Sequence, residues 1–132
     1  MNELISYNDS LILRELGFDE ACFAWYSNGQ LILEHHIIFT GDQYYMRKED
    51  CNAPTFSQAF RFFREKYQWQ SYIEPTSNQH SRELGYNYCL WNYKTGEEYN
   101  TMPQNCPSGD WEFEKYEDAE LACLIKLIKI NS

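Results

Sequence analysis

The stretch CFAWYSNGQLILE, residues 22–34, decides the fold that the sequence predicts. It places Asn28 and Gly29 between two apolar runs, and an Asn-Gly pair in this setting is the strongest short-range signal for a β-hairpin. A two-residue turn there pairs Ser27 with Gln30 and so sets the register of the hairpin. We therefore expect two antiparallel strands, one on either side of the turn.

Both faces of this hairpin carry apolar side chains. In the register set by the turn, one face holds Cys22, Ala24, Tyr26, Leu31 and Leu33, and the other holds Phe23, Trp25 and Ile32. A sheet with one face in water alternates more cleanly between apolar and polar residues. The second face is therefore expected to meet a helix, another sheet or a partner protein, which makes Phe23, Trp25 and Ile32 candidate interaction residues.

A second hairpin is predicted further along the chain. Side chains alternate over residues 86–93, with Tyr86, Tyr88 and Leu90 on one side and Cys89, Trp91 and Tyr93 on the other. The turn residues 94–96 then lead into a return strand over residues 97–101.

Shorter strands are predicted from weaker signals. Residues 70–74 form a short strand that Pro75 ends, because proline cannot donate a backbone hydrogen bond. Trp111 and Phe113 alternate with acidic residues as in a further short strand. Residues 37–39 are a candidate continuation of the first hairpin or a candidate third strand.

Three helices complete the predicted fold. Asp9 and Ser10 are the expected N-cap of a short first helix that ends at Gly17. Thr55 caps a second helix, with Gln58 three residues on as its capping-box partner. Its predicted inward face comprises Phe56, Ala59, Phe60, Phe63 and Tyr67. A final helix runs from Tyr116 to near Ile130, with an apolar stripe of Leu121, Ala122, Leu124, Ile125 and Ile128.

The predicted architecture is a single α+β domain over residues 1–132. Its antiparallel sheet is built from two β-hairpins, with two main helices packed on it and a short N-terminal helix. A chain of this length suffices for one hydrophobic core. Four Trp, eleven Tyr and eight Phe predict that large aromatic rings fill that core.

Charge and the chain ends bear on partners and location. Twenty acidic against eleven basic side chains give a net charge of −9, which repels phosphate backbones and anionic lipids. Nucleic acid is therefore an unlikely partner.

The first residues lack the basic start and apolar run of a signal peptide, and Lys126 and Lys129 interrupt the apolar C-terminal stretch. We expect a cytoplasmic protein that does not enter a membrane.

The thiols and imidazoles do not form a catalytic or metal-binding motif. Five cysteines at irregular spacings without a C-x-x-C pair predict reduced thiols, and Cys51 and Cys106, in predicted loops, are the more accessible ones. The run Glu34, His35, His36 offers metal-ligand types, but adjacent strand residues point to opposite faces. We therefore predict no catalytic residue, no metal site and no cofactor.

Two charged segments allow a functional interpretation beside a structural one. The acidic cluster comprises Asp110, Glu112, Glu114, Glu117, Asp118 and Glu120. Acidic residues in the first turn of a helix are favourable without any ligand. As an alternative, such a surface can mimic nucleic acid and occupy a basic host protein.

The second segment is basic and aromatic. Arg61, Arg64 and Lys66 precede Tyr67, Trp69 and Tyr72, a pattern that can bind phosphates and stack bases. The structural interpretation is a solvated helix face with an ion pair between Arg61 and Glu65. Arg61, Arg64 and Trp69 are the candidate interaction residues of this segment.

Three segments carry a resemblance to a known group. They are residues 15–20 (ELGFDE), residues 53–67 (APTFSQAFRFFREKY) and residues 116–128 (YEDAELACLIKLI). They resemble a group of small uncharacterised proteins encoded by gut Bacteroidales and by their phages and mobile elements. The resemblance implies a phage or mobile-element context and an intracellular product. It transfers no activity and no functional residue.

The function expected from the sequence is a non-enzymatic protein-interaction module that binds a partner protein or self-associates. The expectation depends on the two-sided apolar hairpin and on the lack of a catalytic pattern. A small nucleic-acid-associated protein that uses the Arg61/Arg64 helix face is the alternative, and the acidic mimic is the third.

Overall fold

The computed structural model of the chain describes residues 3–33, 48–77, 83–101 and 111–132. In these residues the fold is α+β, as predicted, but the two hairpins belong to two separate three-stranded antiparallel sheets instead of one common sheet. The chain divides into two compact units, one of Met1–Phe62 with Ile128–Ser132 and one of Phe63–Leu127. That all 132 residues form a single domain stays a prediction.

The elements of the described residues follow in chain order. They are α1 (Tyr7–Glu15), β1 (Ala24–Ser27), β2 (Gln30–Leu33), β3 (Cys51–Ala53), α2 (Phe56–Lys66), β4 (Trp69–Ser77), β5 (Leu84–Asn92), β6 (Glu98–Asn100) and α3 (Tyr116–Asn131). The candidate strand at residues 37–39 lies outside the described residues.

The first hairpin has the predicted turn and register. Ser27 pairs with Gln30, and Asn28 and Gly29 adopt φ angles of 51° and 84°, the left-handed values of a type I′ turn. The backbone N–H of Asn28 donates to Oδ1 of Asp50 at 3.0 Å. The turn is therefore held by its own backbone preference and by a side chain 22 residues away in sequence.

Strand β3, which the sequence does not predict, completes the first sheet in the order β2-β1-β3. Its pairing with β1 places Ala24, Tyr26, Cys51 and Ala53 in one buried cluster. Leu4, Tyr7 and Leu11 pack against this cluster. The core of the first unit thus lies on one face of this sheet, under α1 and the residues before it.

Helix α1 begins earlier than predicted. Its N-cap is Ser6, whose Oγ accepts from the N–H of Asp9 at 3.3 Å. The predicted cap Ser10 instead lies buried inside the helix, where its Oγ donates to the carbonyl of Ile5. Ser and Asp both cap helices, and here Ser6 takes the role. The end at Gly17 is confirmed, with a φ of 104°.

The capping box of α2 is confirmed. The N–H of Gln58 donates to Oγ1 of Thr55 at 3.1 Å, and the N–H of Thr55 donates to Oε1 of Gln58 at 3.0 Å. Ala59 and Phe63 are buried as predicted, and Phe62 is buried as well. Phe62 meets Phe18 edge to face, with ring centroids 5.5 Å apart.

The second sheet has the order β4-β5-β6. The β5–β6 hairpin is confirmed, and Gly96 in its turn has a φ of 79°. Strand β4 continues through Pro75 to Ser77, so the prediction that Pro75 ends the strand is wrong. Proline is tolerated there because β4 lies at the edge of the described sheet.

The segment at Trp111 and Phe113 is less regular than predicted. In place of a strand, Phe113 forms an isolated bridge with Tyr86, whose N–H donates to the Phe113 carbonyl at 2.7 Å. Asn87, fully buried, accepts at Oδ1 from Thr101 Oγ1 at 3.0 Å and from the N–H of Glu112 at 3.1 Å. A buried polar side chain with such partners ties three chain segments together.

Helix α3 has the predicted span but a different buried face. Its buried residues are Ala119, Cys123, Leu124, Leu127 and Ile128, whereas Leu121 and Ile125 are exposed. Of the predicted stripe, Leu124 and Ile128 are buried. Leu121 and Ile125 fall outside the buried face, because positions i, i+4, i+5, i+8 and i+9, counted from Ala119, form one helix face. Within the second unit Tyr116 of this helix meets Tyr86 edge to face at 5.7 Å.

We expect Gly85→Ala to destabilise the protein by about 2 kcal/mol, because overpacking forces neighbours to move. A Cβ at Gly85 would lie 1.9 Å from Cδ2 and 2.1 Å from Cγ of Trp111. Urea unfolding of Gly85→Ala in the native and Trp111→Ala backgrounds measures this. The cost of the added methyl group should largely vanish without the indole ring. An equal cost in both backgrounds would show that the ring does not cause it.

Candidate functional site

The second sheet exposes part of one of its faces. Because the side chains of a strand alternate, one side of β4, β5 and β6, here called the outer face, holds Gln70, Tyr72, Glu74, Thr76, Gly85, Asn87, Cys89, Trp91, Glu98 and Asn100. Trp91 stands opposite Gln70 on β4 and Glu98 on β6. Cys89 stands opposite Tyr72 and Asn100 in the next row. The outer face is therefore a regular grid with β5 along its centre.

Two large aromatic side chains on this grid are open to solvent. Trp91 is 43% exposed and Tyr72 is 49% exposed. They occupy diagonal positions on β5 and β4, which long and aromatic side chains can bridge. On the opposite, inner face of the same sheet, Leu90 is fully buried. The inner face of the sheet is thus used for packing, and the outer face presents aromatic rings at the Trp91 end of β5, whereas Asn87 and Gly85 at its other end are buried.

The Cys89 thiol contacts the Glu98 carboxylate on the outer face. Its Sγ donates to Oε1 of Glu98 at 3.7 Å, and Nδ2 of Asn100 donates to the same oxygen at 3.3 Å. Burial raises the pKa of Cys89 first, and the negative charges of Glu98 and Glu74 raise it further. The thiol is therefore protonated at neutral pH, and a protonated thiol is a poor nucleophile.

The other described thiols are also protonated at neutral pH. Burial raises the pKa of Cys22 and Cys123 to about 12 each and that of Cys51 to about 11. All three are buried and free, so the prediction of reduced, packed thiols is confirmed for them. Cys51 lies in β3 and not in the predicted loop. Cys106 lies outside the described residues.

The Cys123 thiol predicts a loss of stability at alkaline pH. Its pKa is raised from 9.0 to about 12 by burial and by the charges of Cys89 and Glu120. The unfolded thiol ionises near 9.0. Above that pH the unfolded state binds fewer protons, and the free energy of unfolding falls by up to about 1.4 kcal/mol per pH unit. This contribution is complete below the unfolded pKa and lost as pH approaches the folded one.

Urea unfolding at a series of pH values above 9 tests this expectation. Cys123→Ala should show a shallower decline in stability with pH than the native protein. Ser57→Ala, an exposed change on α2, is the control and should keep the native slope. Equal slopes for Cys123→Ala and the native protein would contradict the prediction.

The candidate surface of the first hairpin is only partly open. Trp25 pairs with Ile32 on β2 and with Asn52 on β3, so the predicted shared face of Trp25 and Ile32 is confirmed. Both side chains are half-buried, whereas Phe23 is 74% exposed. Phe23 precedes β1 and is the most open of the three. Of the three candidate residues of this surface, Phe23 alone is therefore largely exposed.

The basic-aromatic segment is distributed differently from the prediction. Nη2 of Arg61 lies 2.6 Å from Oε1 of Glu20, which replaces the predicted partner Glu65. Arg64 is exposed. Trp69 is 3% exposed and its ring centroid lies 5.9 Å from that of Tyr99, so it is a core residue of the second unit and does not contribute to a surface.

The described residues were compared with the geometry of a metal site and with the length of a membrane-spanning helix. Across residues 3–33, 48–77, 83–101 and 111–132, no three His, Cys, Asp or Glu side chains are grouped to hold a metal ion. Glu34, His35 and His36 lie outside these ranges. Among the helices of the same ranges, none is long and apolar enough to cross a bilayer.

Glu117 and Asp118, from the predicted acidic cluster, lie in the first turn of α3, where the helix dipole favours negative charge.

Comparison of the chain with protein-family models, with curated proteins and with solved structures finds no match. The assignment of the candidate site therefore depends on the geometry of the described residues alone. The alternation over residues 86–93 predicts that Cys89 and Trp91 share a side, but the partners Tyr72 and Glu98 come from other strands. The positions of Tyr72 and Glu98 beside Cys89 and Trp91 depend on the register between strands, and the local sequence of β4 does not predict that register.

Proposed function

We propose that this protein is a non-enzymatic protein-interaction module and that the outer face of the second sheet is its binding surface. The exposure of Trp91 and Tyr72 on a sheet whose inner face is packed is the observation that supports the proposal. A phage or mobile-element origin, from the sequence resemblance, and a cytoplasmic location belong to the same proposal.

Aromatic rings on an exposed sheet surface suit a protein partner. Trp and Tyr are enriched at the energetic centres of protein interfaces, because they bury much area at a low entropic cost. Covering the exposed part of each ring with a partner would gain about 2 kcal/mol at the usual value per unit of apolar area. Both rings belong to residues of β-strands, whose backbone is already ordered. The entropy cost of ordering the backbone on binding is therefore small.

The nucleic-acid alternative has weaker support. The Arg61 guanidinium is held by Glu20 in an ion pair of 2.6 Å, so part of its charge is already compensated. The net charge of −9 also opposes the approach of a phosphate backbone. Neither observation applies to a protein partner.

Selection from a random peptide display library tests the proposal. The native protein should enrich peptides that bind a Trp91→Ala, Tyr72→Ala double variant at least about tenfold more weakly, since two hot-spot rings are removed. Phe23→Ser is the matched control, because it removes an exposed ring from the first hairpin and leaves the outer face intact. Circular dichroism of each variant checks that the fold is retained.

Three outcomes would contradict this proposal in different ways. Failure to enrich any peptide above the bare matrix would remove the interaction function. Selected peptides that bind the double variant as well as the native protein would remove the outer face as the surface. Loss of binding in Phe23→Ser alone would move the surface to the first hairpin.

A further inference from the structure

The outer face of the second sheet also has a definite charge. We propose that its partner is an extended basic peptide segment, with arginine or lysine side chains stacked on Trp91 and Tyr72 and paired with Glu98 and Glu74. This inference rests on the proposed function and adds the chemistry of the partner. It depends on the placement of a carboxylate beside each exposed ring.

The first ring–carboxylate pair is Trp91 with Glu98. The two residues stand directly opposite each other on β5 and β6, where Cβ atoms are about 5 Å apart. A guanidinium that lies on the indole face can therefore also donate to the Glu98 carboxylate. Trp is the best aromatic partner for a cation, and arginine combines stacking with a forked donor set.

The second pair is Tyr72 with Glu74. These residues are two positions apart on β4 and share the outer face, so their Cα atoms are separated by about 6.6 Å. Glu74 lies close enough to Cys89 for its charge to help raise the pKa of that thiol, whose main cause is burial. Glu74 and Tyr72 are both exposed on the outer face, so a cation on the tyrosine ring can also reach this carboxylate.

The charges of the face select a cationic partner over an anionic one. The outer face contains two carboxylates and no lysine or arginine, and in the described part of the chain neither Glu74 nor Glu98 forms an ion pair. The net charge of the chain is −9. An approaching basic segment would be attracted both by the local carboxylates and by the overall field.

The spacing of the grid favours an extended segment. Successive rows of the outer face, one centred on Trp91 and the next on Cys89 with Tyr72, repeat about every 6.6 Å along β5. Alternate side chains of an extended peptide repeat at the same distance and point to the same side. Two basic residues at positions i and i+2 of such a peptide can thus reach both rings.

The test titrates a defined probe into the uniformly nitrogen-15-labelled protein. The probe is a short peptide of Gly, Ser and Thr with two arginines at positions i and i+2. Its control is the same peptide with citrulline, a neutral isostere, in place of both arginines. The NMR signal of the Trp91 indole N–H, assigned through Trp91→Phe, reports contact with the outer face.

We expect the arginine peptide to shift the Trp91 indole signal and the citrulline peptide to bind at least about tenfold more weakly. Glu98→Gln and Glu74→Gln should each weaken binding of the arginine peptide severalfold, and the double variant more. Glu65→Gln is the matched control, since it removes an exposed carboxylate of the same unit that belongs to α2 and not to the outer face. It should bind the arginine peptide within about twofold of the native protein.

Three results would overturn this inference. They are equal binding of the citrulline peptide, unchanged binding by the Glu74→Gln, Glu98→Gln double variant, and no Trp91 shift at millimolar arginine peptide. Each of them leaves the proposed function standing if library selection still yields peptides that need Trp91 and Tyr72. Failure of that selection removes the proposed function itself, so the two proposals fail separately.

Discussion

The alternation of side chains along β5 is the constraint on which the second unit depends. This strand pairs with β4 over its whole length and with β6 near its end, so its register is fixed on both sides. Leu90 is fully buried while its neighbour Trp91 is 43% exposed. A slip of one residue would exchange these two side chains, which would put an indole into the core and an aliphatic residue into water. The identity of the outer face is therefore set by the same pairing that builds the core.

Packing on the inner face explains why the register holds. Tyr88 stacks on Phe113 with centroids 6.2 Å apart, and Nζ of Lys126 lies 4.7 Å from the ring centroid of Tyr99. Aromatic and cation–π contacts of this kind add to the burial of apolar area. The aromatic content that the sequence shows is thus divided between the two faces. Rings such as Trp69 are structural, whereas Trp91 and Tyr72 on the outer face are exposed.

The sequence predicts what short-range chemistry determines. Asn28 and Gly29 produce the hairpin turn through their own tolerance of left-handed backbone, and Thr55 with Gln58 produces a helix start through two mutual hydrogen bonds. These features need no information from distant residues. They were predicted correctly for that reason, together with the α+β class that follows from their order.

The remaining features depend on partners far away in sequence. Strand β3 has only three residues and exists because β1 offers it an edge. Arg61 forms an ion pair with Glu20, 41 residues away, and not with Glu65, the predicted partner on the same helix. The burial of Trp69 follows from its place on the inner face, and Tyr72, three residues on, is exposed for the corresponding reason. The residues of the candidate site could be named from the sequence only in part, since their grouping is a property of strand register.

The two ends of β5 differ, and this difference locates the open surface. At one end the ring of Trp111 lies against Gly85, and Asn87 is fully buried with hydrogen bonds to Thr101 and Glu112. At the other end Trp91 stands open. A strand anchored by a satisfied buried polar group and by close ring-to-backbone packing holds its exposed rings in fixed positions. Binding there would cost little ordering entropy, which is the condition under which a small aromatic surface can hold a partner.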